Sequence, residues 1–117
     1  MIQYNVWFAL KQGVDEKPGL AVVNDYLGGL ALAGEAVGHR LLRNASDGAR
    51  SKLPRYQAIV EFRDDAALSA AMKNQVARGI HNGGHGAIVD VVTDFRVEIF
   101  RYINPEEIGI LHYACEI

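Results

Sequence analysis

Apolar and polar residues alternate in three stretches of this chain, a pattern typical of half-buried β-strands because successive strand side chains point to opposite faces of a sheet. The stretches are Ile2 to Leu10, Tyr56 to Asp65 and Phe95 to Ile103. A shorter segment of mixed polarity, Ala36 to Arg43, predicts a strand at the edge of the sheet, where polar side chains are tolerated. The sequence therefore predicts four strands, with Tyr56 to Asp65 in a central position.

Two further segments have apolar residues at spacings of three and four, the period of an amphipathic helix. The first runs from Pro18 to about Gly34, with the pair Gly28–Gly29 expected to allow close contact with a neighbouring element. The second begins at Asp65, whose carboxylate suits the first turn of a helix. The glycine-rich stretch from Gly79 to Gly86 predicts an irregular segment, after which Ala87 to Val92 resumes as a short helix or a strand.

The order β-α-β-β-α-β predicts an α+β ferredoxin-like subunit, in which both helices cover one face of an antiparallel sheet. At 117 residues the chain has the length of one domain, and we expect the last part, from about residue 104 to 117, to form a C-terminal arm. Ile108 to Ile117 is too apolar for a free tail, so this arm is expected to pack on its own subunit or on a partner.

The sheet face without helices, called the open face below, is the first place where function is expected. On the first and third strands it carries Asn5, Trp7, Gln57, Ile59 and Glu61. This mixture is too apolar to be left in water and too polar for a dry core. A second copy of the same sheet is the simplest cover, so the sequence predicts a homodimer in which two open faces meet.

The composition argues against nucleic-acid and membrane partners. With a net charge of -2 and 22% charged residues, the chain shows no basic surface of the kind that binds nucleic acid. No apolar run approaches the roughly 20 residues that cross a bilayer. Cys115 is the single cysteine, which rules out an internal disulfide and favours a reducing compartment. Because no signal-peptide pattern follows Met1, we expect a cytoplasmic protein without nucleic-acid or membrane partners.

The order of elements and two of the strand patterns, Ile2 to Leu10 and Tyr56 to Asp65, resemble the dimeric α/β-barrel superfamily. The segments Val92 to Arg96 and Phe100 to Arg101 resemble an uncharacterised bacterial family within it. The resemblance implies that two ferredoxin-like subunits press their sheets together, with small ligands between sheet and helices or inside the barrel. The superfamily includes cofactor-independent monooxygenases, haem enzymes, lactone isomerases, stress-response proteins and transcriptional ligand sensors, so the fold alone does not choose a function.

Polar and aromatic side chains of the open face are the candidate binding residues. They are Asn5, Trp7, Gln57, Phe100 and Tyr102. The candidate catalytic residues are Glu61 and Glu98 on the same face and His39 on the edge strand, because carboxylates and imidazoles can move protons. Arg96 and Arg40 are the candidate counter-charges. If an arginine pairs with one of the carboxylates across the dimer, that carboxylate only locks the barrel.

Two histidines, His81 and His85, are spaced as a zinc pair would be on a regular helix. The glycines between and around them interrupt such a helix, and the sequence places no third ligand nearby. We therefore predict no metal and no cofactor, and interpret the segment as a glycine-rich surface loop or as a lid over the cavity. Haem ligation by His81 or His85 is the weaker alternative.

The sequence is compatible with three functions. The first is small-molecule binding or sensing by a homodimer. The second is a cofactor-independent monooxygenase or isomerase for a small aromatic or polyketide-like substrate, which Trp7, Asn5 and Glu61 would orient. In that case His39 or Glu98 would move protons. The third is a structural dimer whose interior is filled by side chains.

Overall fold

The computed structural model describes residues 1–48, 50–78 and 84–109, and for residues 75–78 and 84–87 it describes the backbone alone. The strands are β1 (Ile2–Leu10), β2 (Gly38–Arg43), β3 (Tyr56–Phe62) and β4 (Val92–Arg101). The helices are α1 (Glu16–Ala33), α2 (Asp65–Arg78) and α3 (Gly84–Val91), and a short 3-10 helix covers Pro105–Ile108. Within the described ranges the order is therefore β1-α1-β2-β3-α2-α3-β4.

All four of these strands form one antiparallel sheet in the order β2-β3-β1-β4. β1 and β3 lie in the centre, with Trp7 opposite Gln57, while β2 and β4 form the edges. This topology confirms the predicted α+β ferredoxin-like fold, including the central position of β3 and the edge position of β2.

The core lies between the sheet and the helices. β1 and β3 turn their even-numbered side chains to this side, where Phe8, Val60 and Phe62 are fully buried. α1 adds Leu27 and Leu30 from its apolar stripe. Burying a side chain of this size stabilises the fold by about 1.5–3 kcal/mol relative to leaving it exposed. The odd-numbered side chains of β1 and β3 consequently point to the opposite face.

β4 begins at Val92, earlier than the sequence pattern predicts, because a β-bulge interrupts the alternation. Asp94 has a φ of 54°, and the pairing of β1 with β4 shifts register between Trp7 and Ala9. The extra residue of a bulge moves the following side chains to the other face, so the visible alternation restarts only at Phe95. At its other end β4 stops at Arg101, before the predicted limit of Ile103.

The glycine-rich region contains more helix than expected. α3 begins at Gly84, so Ala87 to Val91 adopts the helix, one of the two predicted alternatives, and Gly84 to Gly86 of the predicted irregular segment are helical as well. The backbone of His85 lies in α3. His81 lies outside the described residues, as does the C-terminal arm beyond Gly109. The single domain with an arm therefore stays a prediction.

Gly34, directly after the end of α1, packs tightly against β3 and α2. A Cβ atom on Gly34 would overlap the Phe62 ring and lie 2.7 Å from the backbone oxygen of Ala67. A Cβ atom on Gly28 would meet nothing within 4 Å. The expectation of close packing at Gly28 is therefore wrong, whereas Gly34, directly after α1, leaves no room for a side chain.

Glu16 holds the start of α1 on the sheet. Its carboxylate accepts hydrogen bonds from the Tyr56 hydroxyl at 2.5 Å and from Arg43 Nη2 at 2.5 Å. The hydrogen bond from Tyr56, followed by those from Arg43, lowers the pKa of Glu16 below its ordinary value. The ionised carboxylate is therefore the form that the folded chain favours.

We expect the free energy of unfolding of Glu16→Gln to fall less steeply in acid than that of the unmodified protein. Because the pKa of Glu16 is lower in the folded than in the unfolded chain, its contribution is complete above about pH 4.3, the ordinary glutamate pKa. That contribution disappears as the pH falls through the lowered folded-state pKa. Urea unfolding across this range measures the effect. Asp25→Asn removes an exposed carboxylate from the same helix and should keep the native pH dependence; identical profiles for all three proteins would contradict the assignment.

Candidate functional site

Side chains from all four strands meet on the open face, where β2 contributes Arg40 and Leu42. Those of β1 and β3 are Gln3, Asn5, Trp7, Gln57, Ile59 and Glu61, and those of β4 opposite them are Arg96, Glu98 and Phe100. Because directly opposed residues of antiparallel strands point to the same side, the register fixes this set without further assumption. The structure thus brings together most of the residues that the sequence predicts for the site.

A line of amide side chains crosses the centre of the open face. Gln57 Nε2 donates to Asn5 Oδ1 at 2.7 Å, and Asn5 Nδ2 donates to Gln3 Oε1 at 3.3 Å. Gln3 Nε2 donates in turn to the Tyr102 hydroxyl oxygen at 2.9 Å. Asn5 is only 2% exposed, and its two hydrogen bonds explain how a polar side chain is tolerated there.

The line of amides ends at the carboxylate of Glu61. The Tyr102 hydroxyl donates to Glu61 Oε2 at 2.6 Å, and Arg40 Nη2 donates to Glu61 Oε1 at 3.0 Å. The bond to Glu61 raises the pKa of Tyr102, because the carboxylate favours the protonated phenol. Because one of its oxygens accepts from Tyr102 and the other from Arg40, Glu61 is suited to hold Tyr102 in place. Its counter-charge is supplied by Arg40 of the same chain.

An aromatic pair lies beside the polar line. The rings of Trp7 and Phe100 are 6.0 Å apart between centroids and inclined at 58°. Trp7 is half-buried, whereas Phe100 is 53% exposed. Such a pair offers two apolar ring faces at an angle to an aromatic ligand, since offset and tilted ring contacts are favourable.

Glu98 is the carboxylate of the open face that stays uncommitted. It lies opposite Asn5 on β4 and is exposed. Within the part of the chain that the structure describes, Glu98 forms no ion pair. It is therefore better placed than Glu61 to accept a proton from a ligand on this face.

His39 lies apart from the other predicted catalytic residues. It is opposite Val60, whose side chain is buried on the helix side of the sheet. The imidazole of His39 therefore projects from the helix side, whereas Glu61 and Glu98 lie on the open face. Strand alternation carries this information in the sequence, because Arg40 on the open face requires its neighbour His39 to point the other way.

A pocket of about 270 Å³, called the loop pocket below, lies at the end of the open face where β2 connects to β3. Its strand residues include Trp7, Leu42 and Gln57, and its loop residues include Asn44, Ser46, Ser51, Leu53 and Pro54. The Asn44 amide donates to Ser51 Oγ at 2.8 Å and to the Pro54 backbone oxygen at 3.2 Å, which folds the loop over the pocket. Sequence patterns missed this pocket, and Leu53 in a polar connection was its one signal.

The structure also bears on metals and membranes. Among the residues it describes, no three His, Cys, Asp or Glu side chains are grouped to hold a metal ion. The described helices include none with the length and hydropathy needed to cross a bilayer. His81 and Cys115 lie outside the described residues, and the side chain of His85 is not described. The expectations of no metal, no haem and no cofactor thus stay predictions.

The sequence model of one protein family matches residues 1–108. The chain belongs to DUF6614, a family of unknown function. The match spans β1 to the 3-10 helix, so all strands of the open face belong to the DUF6614 region. None of the curated proteins matches the chain.

Several solved structures resemble this DUF6614 protein at low sequence identity. A protein of Arabidopsis thaliana has a TM-score of 0.69 at 10% identity, covering 89% of this chain and 97% of that one. A mutant of SnoaB, a cofactor-independent oxygenase from Streptomyces nogalater, has a TM-score of 0.65 at 17% identity, covering 88% and 93%. A dabb family protein with a ferredoxin-like fold from Mesorhizobium loti has a TM-score of 0.56 at 19% identity, covering 88% and 97%.

These similarities extend to the fold and no further. They confirm the resemblance to ferredoxin-like proteins of the dimeric α/β-barrel type, and one similar structure is described as a dimeric ferredoxin-like protein of unknown function. The narrower resemblance to a bacterial family stays a prediction. At identities below 20% the function has to be argued from the site itself.

Proposed function

We propose that this DUF6614 protein is a homodimer that binds or senses a small molecule between the open faces of its two sheets. The observation that carries the proposal is the line of hydrogen-bonded amides from Gln57 to Tyr102 beside the Trp7–Phe100 pair. One solved protein of the same fold is described as dimeric, which supports the assembly. We further propose a cytoplasmic location without nucleic-acid or membrane partners.

Covering the open face with a second copy is physically favourable. Phe100 and Leu42 are 53% and 41% exposed in the single chain, and their burial would remove apolar surface from water. The amide line is satisfied within one chain, so its burial leaves few hydrogen-bonding groups without partners. An interior of this kind combines flat apolar walls with a few fixed polar groups, as small-molecule sites do.

Phe100→Ala should weaken the binding of an aromatic ligand by about 3- to 10-fold, because an aromatic contact contributes about 0.5–1.5 kcal/mol beyond its buried area. Trp7 is the single tryptophan of the chain, so its emission reports directly on the open face. A panel of aromatic carbonyl and phenol compounds can be titrated against this emission.

Phe95→Ala is the matched control for this experiment. Phe95 lies on the same strand, is 45% exposed and is next to Arg96 of the open face, so its ring points to the other side. The control should bind as the unmodified protein does. Equal losses in both variants, or a panel without any binder, would contradict ligand binding on the open face and favour the structural dimer.

A cofactor-independent monooxygenase or isomerase is the second candidate, and the uncommitted carboxylate of Glu98 favours it. Trp7, Asn5 and Glu61 would orient a small aromatic or polyketide-like substrate, and Glu98 would take its proton. Turnover of a bound panel compound is followed by product analysis and oxygen uptake. Glu98→Gln should reduce it by at least about 100-fold, while Glu106→Gln, outside the site, should not. Binding without turnover would leave sensing as the function.

A further inference from the structure

Positive charge is concentrated around the loop pocket. The segment from Arg40 to Arg55 contains five of the 12 lysines and arginines of the chain but one of its 14 acidic residues. The chain as a whole has a net charge of -2, so this segment differs in sign from the rest. Arg40 and Arg43 are bound to Glu61 and Glu16, but Arg50, Lys52 and Arg55 form no ion pair among the described residues. A ligand that approaches the loop pocket therefore still meets a positive local potential.

The walls of the loop pocket combine apolar groups, neutral polar groups and the cation Arg43. Trp7, Leu42, Leu53 and Pro54 supply the apolar surface, and the hydroxyls of Ser46 and Ser51 supply donors. No carboxylate is among the described residues that line it. Its volume of about 270 Å³ is below the roughly 300–1,000 Å³ of sites for drug-sized ligands, so one or two fused rings would fill it.

Two guanidinium groups, those of Arg43 and Arg55, lie at the border of the loop pocket. Arg43 binds Glu16 through Nη2 at 2.5 Å and Nε at 3.3 Å. Arg55 Nη1 donates to the backbone oxygen of Asn44 at 3.1 Å. Arg55 is exposed and forms no ion pair among the residues that the structure describes. A guanidinium has five N–H donors, so Arg55 keeps others for a ligand.

Arg55 borders a second hollow that continues the loop pocket. This hollow has a volume of about 200 Å³ and shares Asn44, Ser46, Ser51 and Leu53 with the loop pocket. The two together form a groove with an aromatic wall at Trp7 and a cation at Arg55. The groove is built from the residues of a single chain.

We infer that the loop pocket binds a small organic acid with a planar apolar body. The ring lies against Trp7 and Leu53, and the carboxylate is directed to Arg55, because arginine and a carboxylate form charge-assisted paired hydrogen bonds. This inference rests on the proposed function, since Trp7 and Gln57 belong to both sites, and it names the chemical class of the ligand. A neutral polar ring compound has no carboxylate for Arg55 and should therefore bind less tightly.

The test compares 2-naphthoate with 2-naphthamide, which share the ring system and differ in charge. Calorimetry and Trp7 emission should show 2-naphthoate binding at least about 10-fold more tightly, the effect of one charge-assisted contact. In Arg55→Gln the affinity for 2-naphthoate should fall to that for 2-naphthamide, which should itself stay unchanged. Lys73→Gln removes an exposed cation from α2 and should alter neither affinity.

Leu53→Asp is a second test of acid binding, and its result does not depend on whether Arg55→Gln folds. Leu53 is 52% exposed, so an aspartate is solvated in the free protein but repels a bound carboxylate. This variant should lose 2-naphthoate binding while keeping the native circular dichroism spectrum. Equal affinities for the two probes, no binding of either probe, or an unchanged preference in Arg55→Gln would overturn the inference.

The same samples separate this inference from the proposed function. Binding of both probes with equal affinity by a dimer would remove the preference for acids and leave a small-molecule site. A monomer that still prefers 2-naphthoate in an Arg55-dependent manner would remove the dimeric function and leave the loop pocket as an acid site. Light scattering on the calorimetry samples distinguishes these results.

Discussion

Ile59→Glu should convert the dimer into a monomer at micromolar concentration. Ile59 is half-buried in the centre of β3, opposite Asn5 on one side and Arg40 on the other. In a dimer formed through the open faces, each new carboxylate would be buried close to Glu61. Arg40 already binds Glu61, so the new carboxylate has no cation of its own. A buried charge of this kind costs about 3–5 kcal/mol, so the dissociation constant should rise by at least about 100-fold.

Leu32→Glu is the matched control, because it places the same carboxylate on the outer surface of α1. Leu32 is 81% exposed and lies on the helix side of the sheet. This variant should keep the native molar mass in size-exclusion chromatography with light scattering. Circular dichroism establishes that both variants are folded. A dimeric Ile59→Glu protein would show that the open face is not the interface.

Gly34→Ala should reduce the free energy of unfolding by about 1–3 kcal/mol, the usual cost of overpacking. The new methyl group would overlap the Phe62 ring, the Ala67 backbone oxygen at 2.7 Å and the Ala71 Cβ at 2.8 Å. None of these atoms is the end of a flexible side chain, so α1 and α2 would have to move apart. Urea unfolding monitored by circular dichroism measures the loss.

Gly28→Ala provides the opposite expectation on the same helix. No atom lies within 4 Å of a Cβ placed there, and alanine is favoured over glycine in a helix interior by about 1 kcal/mol. The variant should therefore be as stable as the unmodified protein or more stable. Similar losses in Gly28→Ala and Gly34→Ala would mean that the close contact is not specific to Gly34.

Much of the fold could be predicted from the sequence because its central strands alternate without interruption. Ile2 to Leu10 and Tyr56 to Phe62 assign each side chain to a face, and the structure keeps that assignment. The same alternation predicted that Trp7 and the amide side chains share the uncovered face. Local alternation is decided by neighbouring residues alone, so one sequence is enough to detect it.

Features that depend on contacts between distant residues could not be predicted. The bulge at Asp94 changes the start of β4, and no local pattern announces it. The alternation predicted Tyr102 on the open face, but it could not predict the hydrogen bond that Tyr102 makes to Glu61, 41 positions away. The loop pocket exists because Asn44 folds its loop, which sequence patterns show only as a polar connection.

Quenching of Trp7 emission by acrylamide, measured as the unmodified protein is diluted, tests the covered open face most directly. If a second copy covers this face, the emission is shielded at high concentration and becomes accessible on dilution, reaching the value of Ile59→Glu. A quenching constant that is independent of concentration and equal to that of Ile59→Glu throughout would contradict the dimer and the ligand site between its sheets.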